Sequence, residues 1–194
     1  MWDQERRLPR RILTTAQRAS EESHGLRKVE HWREAKALAE SSARVTPPVC
    51  FSVSYGLASA LRDDDDERHR GAAAAAEAEF EHCVAQLASV DDVHVLSNVQ
   101  RVRLASALDH LAQARQDRGQ LALALELYLR ALDACATPDE VRLGNASALA
   151  SRGALDVAAG ILNNLGTLLV DMRLPADEVF AHCEQLVAAG ARRP

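Results

Sequence analysis

The spacing of apolar residues along the chain predicts helices almost throughout. The clearest case is a helix over about residues 97–118, where apolar side chains recur at intervals of three and four positions: Leu104, Leu108, Leu111 and Ala112. The same criterion, with glycine and proline as boundaries, predicts the other helices, over about residues 10–22, 27–43, 51–62, 71–87, 121–130, 138–152, 154–170 and 175–190. The sequence therefore predicts an all-α fold.

Two local patterns need separate interpretation. The segment LALALELYLR, residues 121–130, alternates as a half-buried strand would, but its residues favour helices and Gly119 precedes it as a turn residue would, so we predict a helix. Thr137, Pro138 and Glu140 form a predicted capping box at the start of the helix that we expect to reach about Arg152.

A repeat of 34 residues relates two parts of the chain. It matches glycine with glycine, alanine with alanine and aliphatic with aliphatic residues: Gly119 with Gly153, Ala112 with Ala146, Ala124 with Ala158, and Leu127 with Ile161. An earlier segment keeps half of the pattern, because Gly71, Ala76, Phe80 and Cys83 correspond to Gly119, Ala124, Tyr128 and Ala131. Each repeat is predicted to be a helix, a glycine turn and a second helix, stabilised by stacking on its neighbours.

These marks resemble the tetratricopeptide and pentatricopeptide families of α-solenoids. The glycine turn followed by Ala and Tyr or Phe fits the first family, whereas residues 137–162 and 33–61 look more like pentatricopeptide units. The resemblance implies a short right-handed α-solenoid. The layout, with an insertion inside the first hairpin, is also similar to the small pentatricopeptide-like F1 subunit of euglenozoan mitochondrial ATP synthases.

Charge is distributed unevenly along the chain. The net charge is −5, yet the first 20 residues carry five arginines against two acidic residues: Arg6, Arg7, Arg10, Arg11 and Arg18 against Asp3 and Glu5. A mildly acidic chain is a poor default binder of nucleic acid. The arginine-rich start is also typical of organelle transit peptides, although its acidic residues count against that interpretation. We therefore expect a mitochondrial location through an uncleaved signal, or otherwise a cytoplasmic one.

Candidate chemistry is sparse. His82–Cys83 and His182–Cys183 recur in similar sequences, but a metal site would need two further ligands at suitable spacing. The run Asp63–Glu67 lacks the alternating ligands and glycine of a calcium loop. No phosphate-binding, nucleophile-elbow or zinc-protease motif occurs, and no apolar run has the length of a membrane span. We expect no enzyme activity, no cofactor, no metal and no small-molecule substrate.

Sequence-specific RNA binding is the alternative function. Pentatricopeptide proteins read one base per repeat with a side chain near the fifth position of the first helix. In this chain that position falls on Gly144 and near Gly56, and glycine has no side chain to donate or accept a hydrogen bond. We therefore expect RNA to be an unlikely partner and other protein subunits to be the main ones.

The sequence thus predicts a non-catalytic interaction or structural subunit of a larger, mitochondrial assembly, such as an ATP synthase accessory subunit. Its parts are an N-terminal arm (residues 1–26), a helical-repeat domain (27–190) with an acidic insertion (63–70), and a tail (191–194). The predicted partner-binding residues lie on the arm and on two later helices: Arg6, Arg7, Arg10, Arg11, Asp109, Gln113 and Glu140. We expect the arm to lie on an acidic protein surface.

Overall fold

The computed structural model describes most of the chain, namely residues 2–21, 26–41, 45, 47–63, 71–87, 96–151 and 153–191. Every regular element in these ranges is a helix, which confirms the predicted all-α fold. In chain order the helices are α1 Trp2–Glu21, α2 Leu26–Glu40, α3 Pro47–Arg62, α4 Ala72–Leu87, α5 Asn98–Asp117, α6 Leu121–Cys135, α7 Pro138–Arg142, α8 Ala146–Ser151, α9 Leu155–Asp171 and α10 Asp177–Ala191.

Packing divides the chain into two compact units, which meet in sequence between Asp91 and Asp92. Unit 1 contains α1 to α4, and unit 2 contains α5 to α10. The predicted arm at residues 1–26 is mostly helical, since α1 begins at Trp2 rather than near residue 10. Residues 64–70 of the predicted acidic insertion lie outside the described residues, and α3 ends at Arg62, just before the insertion.

Unit 1 is a series of four helices in which each packs against the next. Its first three helices share a core of Ile12, Ala35, Ala39 and Val53. Between α2 and α3 the Trp32 ring covers Gly56, where an added Cβ would lie 2.5 Å from the ring. Between α3 and α4 the Cys83 thiol donates to the carbonyl of Phe51 at 3.8 Å. Small residues thus allow large neighbours to approach closely.

In unit 2 four helices also pack one against the next, but they are not consecutive in the chain. Helix α5 packs against α6, α6 against α9, and α9 against α10. Two hydrogen bonds join α5 to α9, from Asn164 to Asp109 and from Gln116 to Asp171. Both pairs are 55 residues apart, so the numbering rises together along the two helices, and α5 and α9 run parallel.

The predicted helix over 138–152 is wrong, because two short helices replace it. Its start is confirmed: the Thr137 hydroxyl accepts from the amide of Glu140 at 3.2 Å, in a complete capping box. The chain then leaves the helix at Leu143 and Gly144, whose φ is +59°. The Asn145 side chain accepts from the amide of Ala148 at 3.2 Å and so starts α8. Sequence periodicity does not predict this break, because glycine also occurs within helices.

The structure confirms the predicted helix–turn–helix pattern in its turns and its small residues. The turn glycines have left-handed backbones, with φ of +110° at Gly71, +72° at Gly119 and +69° at Gly153. Their matched alanines are buried in helix contacts: Ala76, Ala124 and Ala158. The strand-like segment at residues 121–130 is part of helix α6, as predicted. Helix α3 begins at Pro47 rather than near residue 51, since proline is tolerated in a first helical turn.

Candidate protein-interaction surfaces

Helix α1 presents one covered side and one open side. Ile12, Thr15 and Ala19 are buried within unit 1. Arg11, Arg18 and Leu13 are exposed, and Leu13 is exposed over 63% of its surface. The predicted contact residues Arg6, Arg7 and Arg10 lie on the same helix, but their side chains are outside the described part of the structure. The described open side of α1 therefore carries two arginines, one aliphatic residue and, at its end, the exposed Glu21.

The structure brings Asp109 and Gln113 together in a contact between helices. The Gln113 amide donates to one carboxylate oxygen of Asp109 at 2.9 Å, and the Asn164 amide donates to the other at 2.9 Å. Because both oxygens of Asp109 are occupied within unit 2, this carboxylate connects α5 to α9. Asp109 and Gln113 stay predicted partner contacts, and in addition they form these hydrogen bonds within unit 2.

A second polar contact lies two turns further along the same helices. The Gln116 amide donates to Asp171 at 2.7 Å, and its carbonyl accepts from the Tyr128 hydroxyl at 3.1 Å. Burial first, and then the charges of Asp109 and Asp117, raise the pKa of the Tyr128 phenol. We call the two contacts the α5–α9 ladder (Asp109–Asn164 and Gln116–Asp171). Sequence reasoning missed Gln116, Asn164 and Asp171, because polar residues 55 positions apart give no local signal.

The remaining predicted contact residue, Glu140, closes the capping box of α7. Its carboxylate accepts from the amide of Thr137 at 2.8 Å. An acidic residue in the first helical turn also interacts favourably with the helix dipole. Glu140 lies on α7, whereas Asp109 and Gln113 lie on α5.

One end of unit 2 carries exposed aliphatic side chains. The Gln116–Asp171 contact places the α5–α6 turn beside the α9–α10 turn. At this end Leu123 is 51% exposed, Val170 57% and Leu174 45%. We call this region the turn end of unit 2 (Leu123, Val170 and Leu174). A partner that covered these side chains would remove their apolar surface from water.

The two glycines at the predicted RNA-reading positions are both close to other side chains. Trp32 covers Gly56, as described above, and the side-chain oxygen of Gln185 lies 3.3 Å from a Cβ built at Gly144. A base is read by hydrogen-bonding side chains and stacked on open aromatic faces. Neither glycine supplies such a group.

The paired His–Cys sequences serve helix packing. The Cys183 thiol donates to the carbonyl of Ala159 at 3.3 Å, as the Cys83 thiol does to Phe51. Burial is the main cause that raises the pKa of both thiols, and the neighbouring carboxylates Glu79 and Glu184 raise it further. Among the described residues, no three metal-ligating side chains form a group. No helix in that part of the chain is long and apolar enough to cross a membrane.

Comparison with known proteins gives structural matches only. No protein-family model matches the chain, and no curated protein matches it by sequence. Among solved structures the chain is similar to the nearly identical TPR-like repeats of a Podosopora anserina protein described as a kinesin light chain, with 17% identity, a TM-score of 0.42, and coverage of 99% of this chain and 96% of that one. A point variant of those repeats matches with 18% identity, a TM-score of 0.43, and coverage of 98% and 86%.

Proposed function

We propose that this chain is a non-catalytic protein-interaction subunit that binds other proteins through the turn end of unit 2. The observation that carries the proposal is the exposure of Leu123, Val170 and Leu174 at one end of unit 2. The α5–α9 ladder fixes the two turns that present these side chains. Burying aliphatic surface contributes about 25 cal/mol per Å², so such a region gains free energy when a partner covers it.

The basic side of α1 is proposed as a second, electrostatic contact with an acidic protein surface. Arginine forms bidentate hydrogen bonds with carboxylates, and Arg11 and Arg18 are both exposed. The predicted contacts at Arg6, Arg7 and Arg10 belong to this proposal. Because Ile12 and Ala19 are already buried within unit 1, α1 recognises its partner mainly through charge.

The assembly is proposed to be mitochondrial, and an accessory position in an ATP synthase is the specific case that the sequence layout favours. The arginine-rich start supports import, and its residues Ile12 and Ala19 belong to the core of unit 1. A segment with core residues is retained in the mature protein, so we expect an uncleaved targeting signal. Fractionation of source cells, followed by co-migration with the F1 part of the enzyme, tests both statements.

The main experiment compares two aliphatic residues at opposite ends of unit 2. Val170→Glu places a charge at the turn end, whereas Val99→Glu places one at the start of α5, where Val99 is 58% exposed. Tagged wild-type and variant chains are expressed in source cells and their co-purifying proteins are quantified. We expect Val170→Glu to lose stoichiometric partners that Val99→Glu retains. Equal recovery by both variants contradicts the proposed surface.

RNA recovery is measured in the same samples. Ultraviolet cross-linking that yields a sequence-selective RNA at physiological salt would support the alternative function, an organellar RNA-binding protein. Phosphate contacts release counterions, so RNA binding would also weaken steeply as salt rises. We expect neither result.

A further inference from the structure

Helix α1 carries a regular basic stripe on its open side. Arg11, Thr14 and Arg18 are spaced by three and four residues, so they share one face, and all three are exposed. The exposed Glu21 ends this face, and its carboxylate accepts from the Gln17 amide at 2.8 Å. Among the described residues neither arginine forms a salt bridge. The opposite side of the helix, with Ile12 and Ala19, is buried within unit 1. The stripe therefore presents two arginines on a helix whose opposite side is packed in unit 1. We call Arg11, Thr14 and Arg18 the basic stripe.

Helix α10 carries an acidic stripe of the same spacing. Asp177, Ala181, Glu184 and Ala188 recur at intervals of four and three, and all four are exposed. The opposite side of α10 is anchored by Leu186, which is fully buried. Within the described part of the chain, neither acidic residue forms a salt bridge. The side chains of Ala181 and Ala188 are short, so the backbone of another helix can approach this face closely.

The two stripes are complementary when the helices are antiparallel. Arg11 and Arg18 are seven positions apart, as are Asp177 and Glu184, which is about 10.5 Å along either helix. Antiparallel docking therefore sets Arg11 opposite Glu184 and Arg18 opposite Asp177, with Thr14 opposite Ala181. We propose that the basic stripe of α1 binds the acidic stripe of α10 in a second copy of this chain. This proposal rests on the proposed function to the extent that α1 contacts acidic protein.

A second copy fits the stripe better than a membrane does. A basic amphipathic helix binds lipid by inserting its apolar side. In α1 that side is covered, because Ile12, Thr15 and Ala19 are buried in unit 1. A single helix pair buries less area than a standard stable interface, so the association is weak and responds to salt. An unrelated acidic protein on the same stripe is the competing occupant, and the experiment below separates the two.

The test uses the purified full-length chain and two charge reversals. One variant carries Arg11→Glu and Arg18→Glu, and the other carries Asp177→Arg and Glu184→Arg. Sedimentation equilibrium is measured at high protein concentration in about 0.01 M and about 1 M salt, where charges are screened beyond about 30 Å and about 3 Å respectively. We expect the wild-type mass to rise with concentration only at low salt, and each variant alone to remain monomeric.

Mixing the two variants provides the decisive comparison. Each contributes one native stripe, so a mixture restores the native α1–α10 contact, and the two reversed stripes are also opposite in charge. We therefore expect the mixture to associate, although neither variant associates alone. A control variant with Arg130→Glu and Asp133→Arg reverses two exposed charges on α6 and should associate like the wild type. Circular dichroism checks that all variants are folded.

Either of two results overturns the proposal: a wild-type mass that stays monomeric at every concentration in low salt, or variants that fail to associate when mixed. Val170→Glu should retain self-association even where it loses its partners in cells. Loss of the partner surface and loss of the self-contact are thereby distinguishable.

Discussion

Unit 1 and unit 2 arrange four helices in the same order of neighbours. Positions 96 residues apart match between α1–α2 and α5–α6, and their side chains are buried in both: Ile12 with Leu108, Thr15 with Leu111, Ala35 with Ala131, and Ala39 with Cys135. Helices α9 and α10 then take the places of α3 and α4. The pair α7–α8 lies between α6 and α9 in sequence and has no counterpart among the described helices of unit 1, although the 34-residue repeat matches Ala146 of α8 with Ala112 of α5.

The polar contacts of the two units differ where the apolar ones agree. In unit 1 the Lys36 ammonium contacts the Glu79 carboxylate at 2.6 Å, and both side chains are mostly buried. In unit 2 the α5–α9 ladder uses amides and carboxylates instead. The Lys36–Glu79 pair joins α2 to α4, whereas the ladder joins α5 to α9, the counterparts of α1 and α3. The two units therefore share their apolar packing but place these polar contacts between different helices.

The largest expected effect distinguishes the matched aromatic residues of the two units. Tyr128 is fully buried, whereas its counterpart Trp32 is partly exposed. Tyr128→Ala should lower the free energy of unfolding by about 3–5 kcal/mol, because it leaves a large cavity. Trp32→Ala should cost less, since the Trp32 ring retains contact with solvent. Urea denaturation of both variants measures the difference, and an equal loss would contradict the effect of the difference in burial.

Tyr128→Phe serves as the control for that change. It keeps the ring and removes only the hydroxyl that donates to Gln116, so we expect a loss of about 1 kcal/mol. A loss as large as that of Tyr128→Ala would show that the hydroxyl, rather than the packing of the ring, stabilises unit 2.

The next effect concerns the small residue on α9. Ala158 is fully buried, so Ala158→Leu should overpack the helix contact and cost about 1–3 kcal/mol. Gly160, two residues later, has open space around it, so Gly160→Ala should be neutral or stabilising by up to about 1 kcal/mol. Thermal denaturation compares the two variants. An unchanged melting temperature for Ala158→Leu contradicts the repeat assignment.

These two positions illustrate how far the sequence alone predicts the fold. Ala158 and its counterpart Ala124 were found by the repeat, because close helix contacts leave a small residue at a regular interval. The break at Gly144 was missed, since a glycine and a following Asn145 also occur within helices. The α5–α9 ladder had no signal at all, because Asp109 and Asn164 meet only after the helices have packed. Local chemistry is readable from sequence, whereas long-range polar pairs depend on tertiary structure.

The α5–α9 ladder should contribute less to the free energy of unfolding than these packed residues do. The contributions of its residues should also depend on one another. Asp109→Ala and Asn164→Ala each remove one partner of a 2.9 Å hydrogen bond. We expect each to cost about 1–2 kcal/mol and the double variant to cost less than their sum, with a coupling of about 0.5–1.5 kcal/mol. A double-mutant cycle on Lys36 and Glu79 gives the coupling energy of the polar contact between α2 and α4 in unit 1. Strict additivity in unit 2 would show that the ladder does not join α5 to α9.

The smallest expected effect concerns the thiols of Cys83 and Cys183, and it begins with the dependence of stability on pH. Burial raises the pKa of Cys83 above its ordinary value of 9.0, so the folded state retains a proton that the unfolded state loses. The stabilising contribution is therefore complete below about pH 9 and declines as the pH rises further. Cys83→Ala should reduce this alkaline decline.

The native Cys83 thiol, which is fully buried, should also be alkylated more slowly than the partly exposed Cys183. Mass spectrometry of labelled peptides measures both rates.

The central claim is that α9 takes the place in unit 2 that α3 takes in unit 1, which requires α9 to run parallel to α5. Spin labels on Asp117 and Val170 should then lie close together, within about 20 Å, in a chain whose native cysteines are replaced by alanine. Labels on Asn98 and Val170 should be about 30 Å apart, because α5 spans 20 residues. Pulsed electron paramagnetic resonance measures both distances. A short distance for the second pair and a long one for the first would contradict the account.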